Sequence, residues 1–208
     1  MRNAIIKTAV AAALALPLLA NAESQFNTAA GPSSAVAKVD FQITIPRVLF
    51  LQVGTGTNFA TNPAVDLITF SVPAANVGDG TVIAGAGGNL GTGKVTAKLV
   101  GNAGAIVFSS TVPNGISDGA GSTISYAQIA TASVVGATGN LLTPPALVDG
   151  ATTNAAADGV TSGTKVTNRD ATWTYTYLNT VAGGVPAAGV YGGVGVNQGR
   201  VTYTATMP

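Results

Sequence analysis

The sequence predicts an all-β protein, an antiparallel β-sandwich of the immunoglobulin-like kind. Three observations predict it. Short apolar runs recur with a period of two, the spacing of a half-buried strand. Turn signals stand between them: Gly-Asp-Gly at 78–80, then Asp118-Gly119, Asp149-Gly150 and Asp158-Gly159. Beyond the first residues no stretch sustains a helical apolar period, which leaves a sandwich or a barrel as the way to bury one strand face. A membrane-spanning barrel fits less well, because it needs strands of about 9–11 residues and aromatic girdles, and only 6% of the residues are aromatic.

Residues 1–22, MRNAIIKTAVAAALALPLLANA, carry Arg2 and Lys7, then an apolar stretch from Ala9 to Ala20, then Ala20-Asn21-Ala22. That order is a secretory signal peptide cleaved before Glu23. Pro17 and the short apolar core argue against a membrane anchor, which needs about 20 apolar residues. The expected location is extracellular or at the cell surface, with no membrane span after cleavage. Residues 23–34, ESQFNTAAGPSS, are small and polar, are broken by Gly31-Pro32, and read as a flexible arm. In residues 35–46, Val39, Phe41, Ile43 and Ile45 alternate with Lys38, Asp40, Gln42 and Thr44 until Pro46 ends the ladder.

A domain over 47–208 follows. Its expected strands are VLFLQV (48–53), LITFSV (67–72), KVTAKLV (94–100), AIVFSS (105–110), TISYAQI (123–129), TWTYTYL (172–178), VYGGVGV (190–196) and RVTYTATM (200–207). AQIATASVV (127–135) has room for one helical turn. Residues 141–163 show no strand pattern and read as a long loop or a decorated insertion. Trp173, Tyr175 and Tyr177 share one face of their strand. Facing outward they would make a sugar-stacking platform; burial of one sheet face predicts instead that they are core, with the threonines outward. In the last run Val201, Tyr203, Ala205 and Met207 are expected to face the core, and Arg200, Thr202, Thr204 and Thr206 to face out.

Composition excludes most chemistry. The chain has no histidine and no cysteine, so Ser-His-Asp and Cys-His catalysis, the usual zinc sites and disulfides are all absent. Cleavage removes Arg2 and Lys7, leaving seven cations against eight anions, a net charge near −1. The seven cations make no basic stripe, so nucleic acid is not an expected partner. Residues 88–94 fit the glycines and lysine of a phosphate-binding loop. Val95, however, stands where the magnesium-binding hydroxyl belongs, and a strand follows where a helix is required. Asp149, Asn154 and Asp158 are the best calcium candidates, yet each Asp-Gly is explained by a turn. Glu23 is the sole glutamate after cleavage, so paired acids for glycoside hydrolysis would have to come from turn aspartates. The expectation is a protein that is not an enzyme and has no cofactor.

Residues 35–56 and 182–208 together resemble subunits of chaperone–usher pili, most of all the cysteine-free, colonisation-factor type of fimbrial major subunit. The resemblance lies in the alternating strand 39–45 ending at Pro46, the apolar strand 48–53, the segment from Pro186 through Gly189, Val190, Tyr191 and Gly192, and the alternating run 201–207. It implies a sandwich lacking one strand. Val39, Phe41, Ile43 and Ile45 would be the donor strand, and Val201, Tyr203, Ala205 and Met207 would border the groove that a periplasmic chaperone captures. It also implies an outer-membrane usher as partner and a homopolymer built by donor-strand complementation, for attachment or biofilm. The same residues allow a complete, monomeric, secreted sandwich with 39–45 paired in its own chain, or a carbohydrate-binding or adhesive module.

Overall fold

The computed structural model describes residues 24–156, 165–180 and 185–208. The expected signal peptide, Glu23, Asp158 and residues 157–163 of the expected loop lie outside the described residues. Two compact units divide the chain, Met1–Ile45 and Pro46–Pro208. In the first, residues 24–45 form neither helix nor strand and are exposed throughout. The arm curls on itself around a bend at residues 30–32: Gln25 Oε1 accepts from the Val36 N–H and Asn27 Oδ1 from the Ala29 N–H, both at 2.9 Å.

The described residues of the second unit hold twelve strands. They are β1 (Leu49–Val53), β2 (Ile68–Thr69), β3 (Ile83–Ala84), β4 (Ala86–Gly87), β5 (Lys94–Gly101) and β6 (Val107–Thr111). After them come β7 (Ile116–Ser117), β8 (Thr123–Ile124), β9 (Ile129–Val135), β10 (Thr152–Asn154), β11 (Thr167–Tyr177) and β12 (Thr202–Thr206). All strand pairs are antiparallel. One sheet runs β1-β5-β11, with β9 on the other edge of β11. Thr176 and Tyr177 pair with both β3 and β9; a strand has two edges, so β3 continues the edge that β5 occupies. The second sheet runs β10-β6-β12.

The two sheets face each other across an aromatic core. Val95, Ala97 and Leu99 of β5 and Ala171, Trp173 and Tyr175 of β11 are buried on one side, and Phe108, Tyr203, Ala205 and Met207 pack against them from the other. Ring centroids lie 6.1 Å apart for Phe108–Trp173 and 5.3 Å for Trp173–Tyr203, the range in which aromatic pairs attract. The alternating runs therefore put their apolar face inward, and Trp173, Tyr175 and Tyr177 are core, not a sugar platform. The indole N–H of Trp173 donates to Leu142 O at 2.8 Å, so its one polar atom is satisfied.

Four segments of the second unit depart from the sequence expectation. In 67–72 only Ile68 and Thr69 form a strand. Residues 190–196 form no strand, because Gly192, Gly193 and Gly195 take φ values of 72°, 136° and 69°, which break an extended ladder. Within 141–163, Leu142 is fully buried and β10 pairs with β6, so the described part is a structural member and not a decoration. In 123–129 only Thr123, Ile124 and Ile129 belong to strands. A 3₁₀ turn over Tyr126–Gln128 follows, capped by the Ser125 side chain, and β9 begins after it.

Candidate functional site

Strands at sheet edges expose unpaired N–H and C=O groups, and the two sheets leave such edges open. Among the described residues β1 pairs only with β5, and β12 only with β6. The two edge strands are tied together at one corner, where the Arg47 guanidinium donates to Met207 O at 2.6 Å and also to Pro208 O. Leu51 and Val53 of β1 and Tyr203 and Ala205 of β12 pack on the same core.

Val48 to Leu51, with residues 59–62, line a cleft of about 580 Å³. Successive side chains of a strand point to opposite faces, so four consecutive residues share one cleft only along the strand edge. The cleft therefore marks the free backbone of β1. Its far wall is mixed: Phe59, 63% exposed, lies over Phe50 with centroids 5.3 Å apart, and Ala60, Thr61 and Asn62 complete it.

The entry to β1 is stitched to the turn after β5. Asn102 donates its Nδ2 to Pro46 O and accepts the Val48 N–H at its Oδ1, both at 2.8 Å, and its own N–H bonds Val48 O at 3.3 Å. Leu49, Leu51 and Val53 stand opposite the buried Gly101, Leu99 and Ala97, which makes theirs the core-facing side of β1.

Along the last strand Val201, Tyr203 and Ala205 are half-buried, Met207 is buried, and Arg200, Thr202, Thr204 and Thr206 are exposed. Tyr203 and Tyr175 share a hydrogen bond of 2.9 Å between their hydroxyls. Burial pushes the Tyr203 phenol up to about 12. Burial first, then the neighbouring Tyr203, holds Tyr175 well above its ordinary value as well. These phenols stay neutral and structural.

Val39, Phe41, Ile43 and Ile45 are 74, 88, 84 and 76% exposed. A large apolar side chain is rarely left so open, and here four alternate along one stretch. The structure brings the terminal-strand residues together with β6 and the core, whereas the four residues expected to form a donor strand lie in an exposed apolar stretch without helix or strand.

Among the described residues the other candidate motifs are turns, apart from Asn154 in β10. In residues 88–94 the N–H groups of Leu90, Gly91, Gly93 and Lys94 all bond carbonyls of the same hairpin, so they are committed and not converged on a phosphate. Gly85 and Gly93 cross so closely that a Cβ on Gly93 would lie 2.7 Å from the Gly85 Cα, which accounts for glycine there. Asp149 Oδ1 accepts the Tyr126 N–H, and Asn154 lies in β10. Asp118 Oδ1 takes the N–H groups of Ala120 and Ser122, and Asp79 Oδ1 that of Thr81. Hydrogen bonds, chiefly from Asn76 for Asp79 and from the Ala120 N–H for Asp118, hold both carboxyls below their ordinary range. No group of three acidic, histidine or cysteine residues placed to hold a metal occurs among the described residues, nor is any of their helices long and apolar enough to cross a membrane.

Arg47, Asn102 and Phe59 were not marked by sequence. A lone arginine after a proline and an asparagine in a turn carry no periodic signal, and the Phe59 φ of 57° has none either. No protein-family model, characterised protein or solved structure matches the chain. Function therefore rests on the geometry above.

Proposed function

We propose that the chain is a structural subunit of an extracellular fibre of the pilus type, in which residues 39–45 of one copy complete the open sandwich edge of the next. The observation that carries this reading is the coexistence, in one chain, of an exposed alternating apolar stretch and a sandwich whose strands β1 and β12, among the described residues, are each paired along one edge only. Each half alone is a liability. An open edge invites aggregation, and an exposed apolar strand gains nothing from water. Together they form a self-complementary pair in which one patch fits a different patch on the next copy, so the contact repeats without closing and gives a filament.

The energetics support it. Burying Val39, Phe41, Ile43 and Ile45 at roughly 1.5–3 kcal/mol each gives ~6–12 kcal/mol before ordering costs, and backbone hydrogen bonds add to that. Export by a cleavable leader, capture of the terminal strand by a periplasmic chaperone and passage through an outer-membrane usher belong to the same reading and derive from the resemblance stated above. The absence of histidine and cysteine and the single mature glutamate fit a building material, without catalytic activity or cofactor, better than an enzyme.

The test is the double substitution Phe41→Asp and Ile43→Asp. The expected product is a folded, exported monomer with no polymer, scored by electron microscopy and size exclusion. Fibres of normal length and yield from that variant would overturn the donor-strand reading and favour a monomeric secreted sandwich.

A further inference from the structure

Residues 39–45 lead into β1 through only Pro46, Arg47 and Val48, a link of hairpin length. A hairpin back onto β1 would close the sandwich without a partner. We propose that Val48 is the residue that prevents this, a register lock that reserves the strand for another copy; the inference rests on the fibre reading above.

The lock follows from parity. In an antiparallel pair, directly opposed residues point to the same face. A two-residue loop at Pro46 and Arg47 would oppose Ile43 to Phe50 and Phe41 to Gln52, on the outer face of β1. It would set Thr44, Gln42 and Asp40 against Leu49, Leu51 and Val53 on the core face. That register buries a carboxylate and leaves three apolar side chains in water, and shifting by one residue reverses every side chain. The turn is also disfavoured, because two-residue hairpin loops want positive φ at the first position and proline cannot supply it.

A three-residue loop has the right parity. Over residues 45–47 it needs Ile45 in the right-handed helical region, which the following Pro46 disfavours. Over residues 46–48 it opposes Ile45 to Leu49, Ile43 to Leu51 and Phe41 to Val53, all toward the core. Proline suits the first position of such a loop, a type I turn, but the third position must be left-handed. Val48 holds that position. A β-branched residue there is a conformational outlier, and Val48 is not among the residues with positive φ. Its N–H and C=O are both bonded to Asn102, which extends the β1–β5 ladder one residue outward. A five-residue loop in the same register, over residues 45–49, would consume Ile45 and Leu49 and the pairing of Leu49 with Gly101. A strand arriving from a second copy has no loop to form, so it can take the core-facing register freely.

The experiment compares the full exported chain with Val48→Gly and Val48→Ala. Glycine is at home in the left-handed position, whereas alanine loses the same two methyls but keeps the Cβ and lacks that freedom. Val48→Gly is expected to give folded monomer in which the amides of 39–45 are protected from hydrogen exchange. The fibre yield should fall by about tenfold or more, the weight of removing one left-handed penalty. Val48→Ala, which loses the same two cleft-lining methyls, is expected to keep a fibre yield well above that of Val48→Gly. Normal assembly of Val48→Gly, or equal loss in both variants, overturns the lock while leaving strand donation intact. If the natural chain is itself monomeric, protection of 39–45 in it overturns both the lock and the fibre reading. Protection confined to Val48→Gly in that case retains the lock and removes only the fibre.

Discussion

Tyr203 and Tyr175 show how single residues set the conditions this fold tolerates. Both phenols are neutral in the core, and their shared hydrogen bond needs a proton between them. A phenol whose pKa rises on folding holds its proton more tightly in the folded state. Its contribution is complete below the ordinary value of 10.0 and is lost as pH climbs through the folded value, about 12 for Tyr203. Tyr126, pushed up to about 12 by burial and then by Asp149, adds to the same window. Folding is therefore expected to be level through neutral pH, where no histidine titrates, and to fail between about pH 10 and 12. Circular dichroism followed alongside tyrosinate absorbance checks this. Ionisation of all five tyrosines near pH 10 with the fold intact would show that the phenols are not buried as described.

At the scale of elements, strands that alternate over five or more residues were legible. β5, β11 and β12 bury the apolar partners of their threonines, and one-sided burial fixes that pattern in sequence. The two-residue strands β2, β3, β4, β7 and β8 are too short to carry a period. β10 escaped notice because Thr152, Thr153 and Asn154 have no apolar side chain; they are held through hydroxyl bonds such as Thr111–Thr152 at 2.9 Å. Residues 190–196 misled because valines alternate with glycines that turn left-handed. Residues 39–45 alternate as a strand does, yet form none within the chain; the corner made by Arg47 and Asn102 was not legible, since it joins residues up to 161 positions apart. β12 supplies the test at this scale. Deleting residues 201–208 removes Val201, Tyr203 and Met207, at roughly 1.5–3 kcal/mol each when buried. It also strips β6 of a partner and Arg47 of its acceptors. That loss is comparable with the ~5–15 kcal/mol by which a domain is stable. Truncation is expected to abolish protease-resistant protein, whereas a frayed tail would tolerate it. Folded, assembled protein from the shortened chain would remove β12 from the core.

For the whole molecule, the decisive quantity is charge. Only 8% of the residues are charged, and the contact proposed between copies is made of valine, phenylalanine, isoleucine and main-chain hydrogen bonds. Coulombic contacts between exposed charges are screened within about 10 Å at 0.1 M salt and about 3 Å at 1 M, while apolar burial is strengthened by excluded salts such as sulfate. A fibre held by complementary charges would loosen as salt rises; one held by a buried strand would not. The assembled protein is expected to keep its length and sedimentation from about 0.1 M to about 1 M salt. It should come apart only in denaturant or heat, which weaken burial and backbone pairing together. Measuring polymer fraction by sedimentation across a salt series and a guanidinium series separates the two. Release of monomer by salt alone, with Phe41 and Ile43 unchanged, would place the contact on the charged surface and leave strand 39–45 without its proposed role.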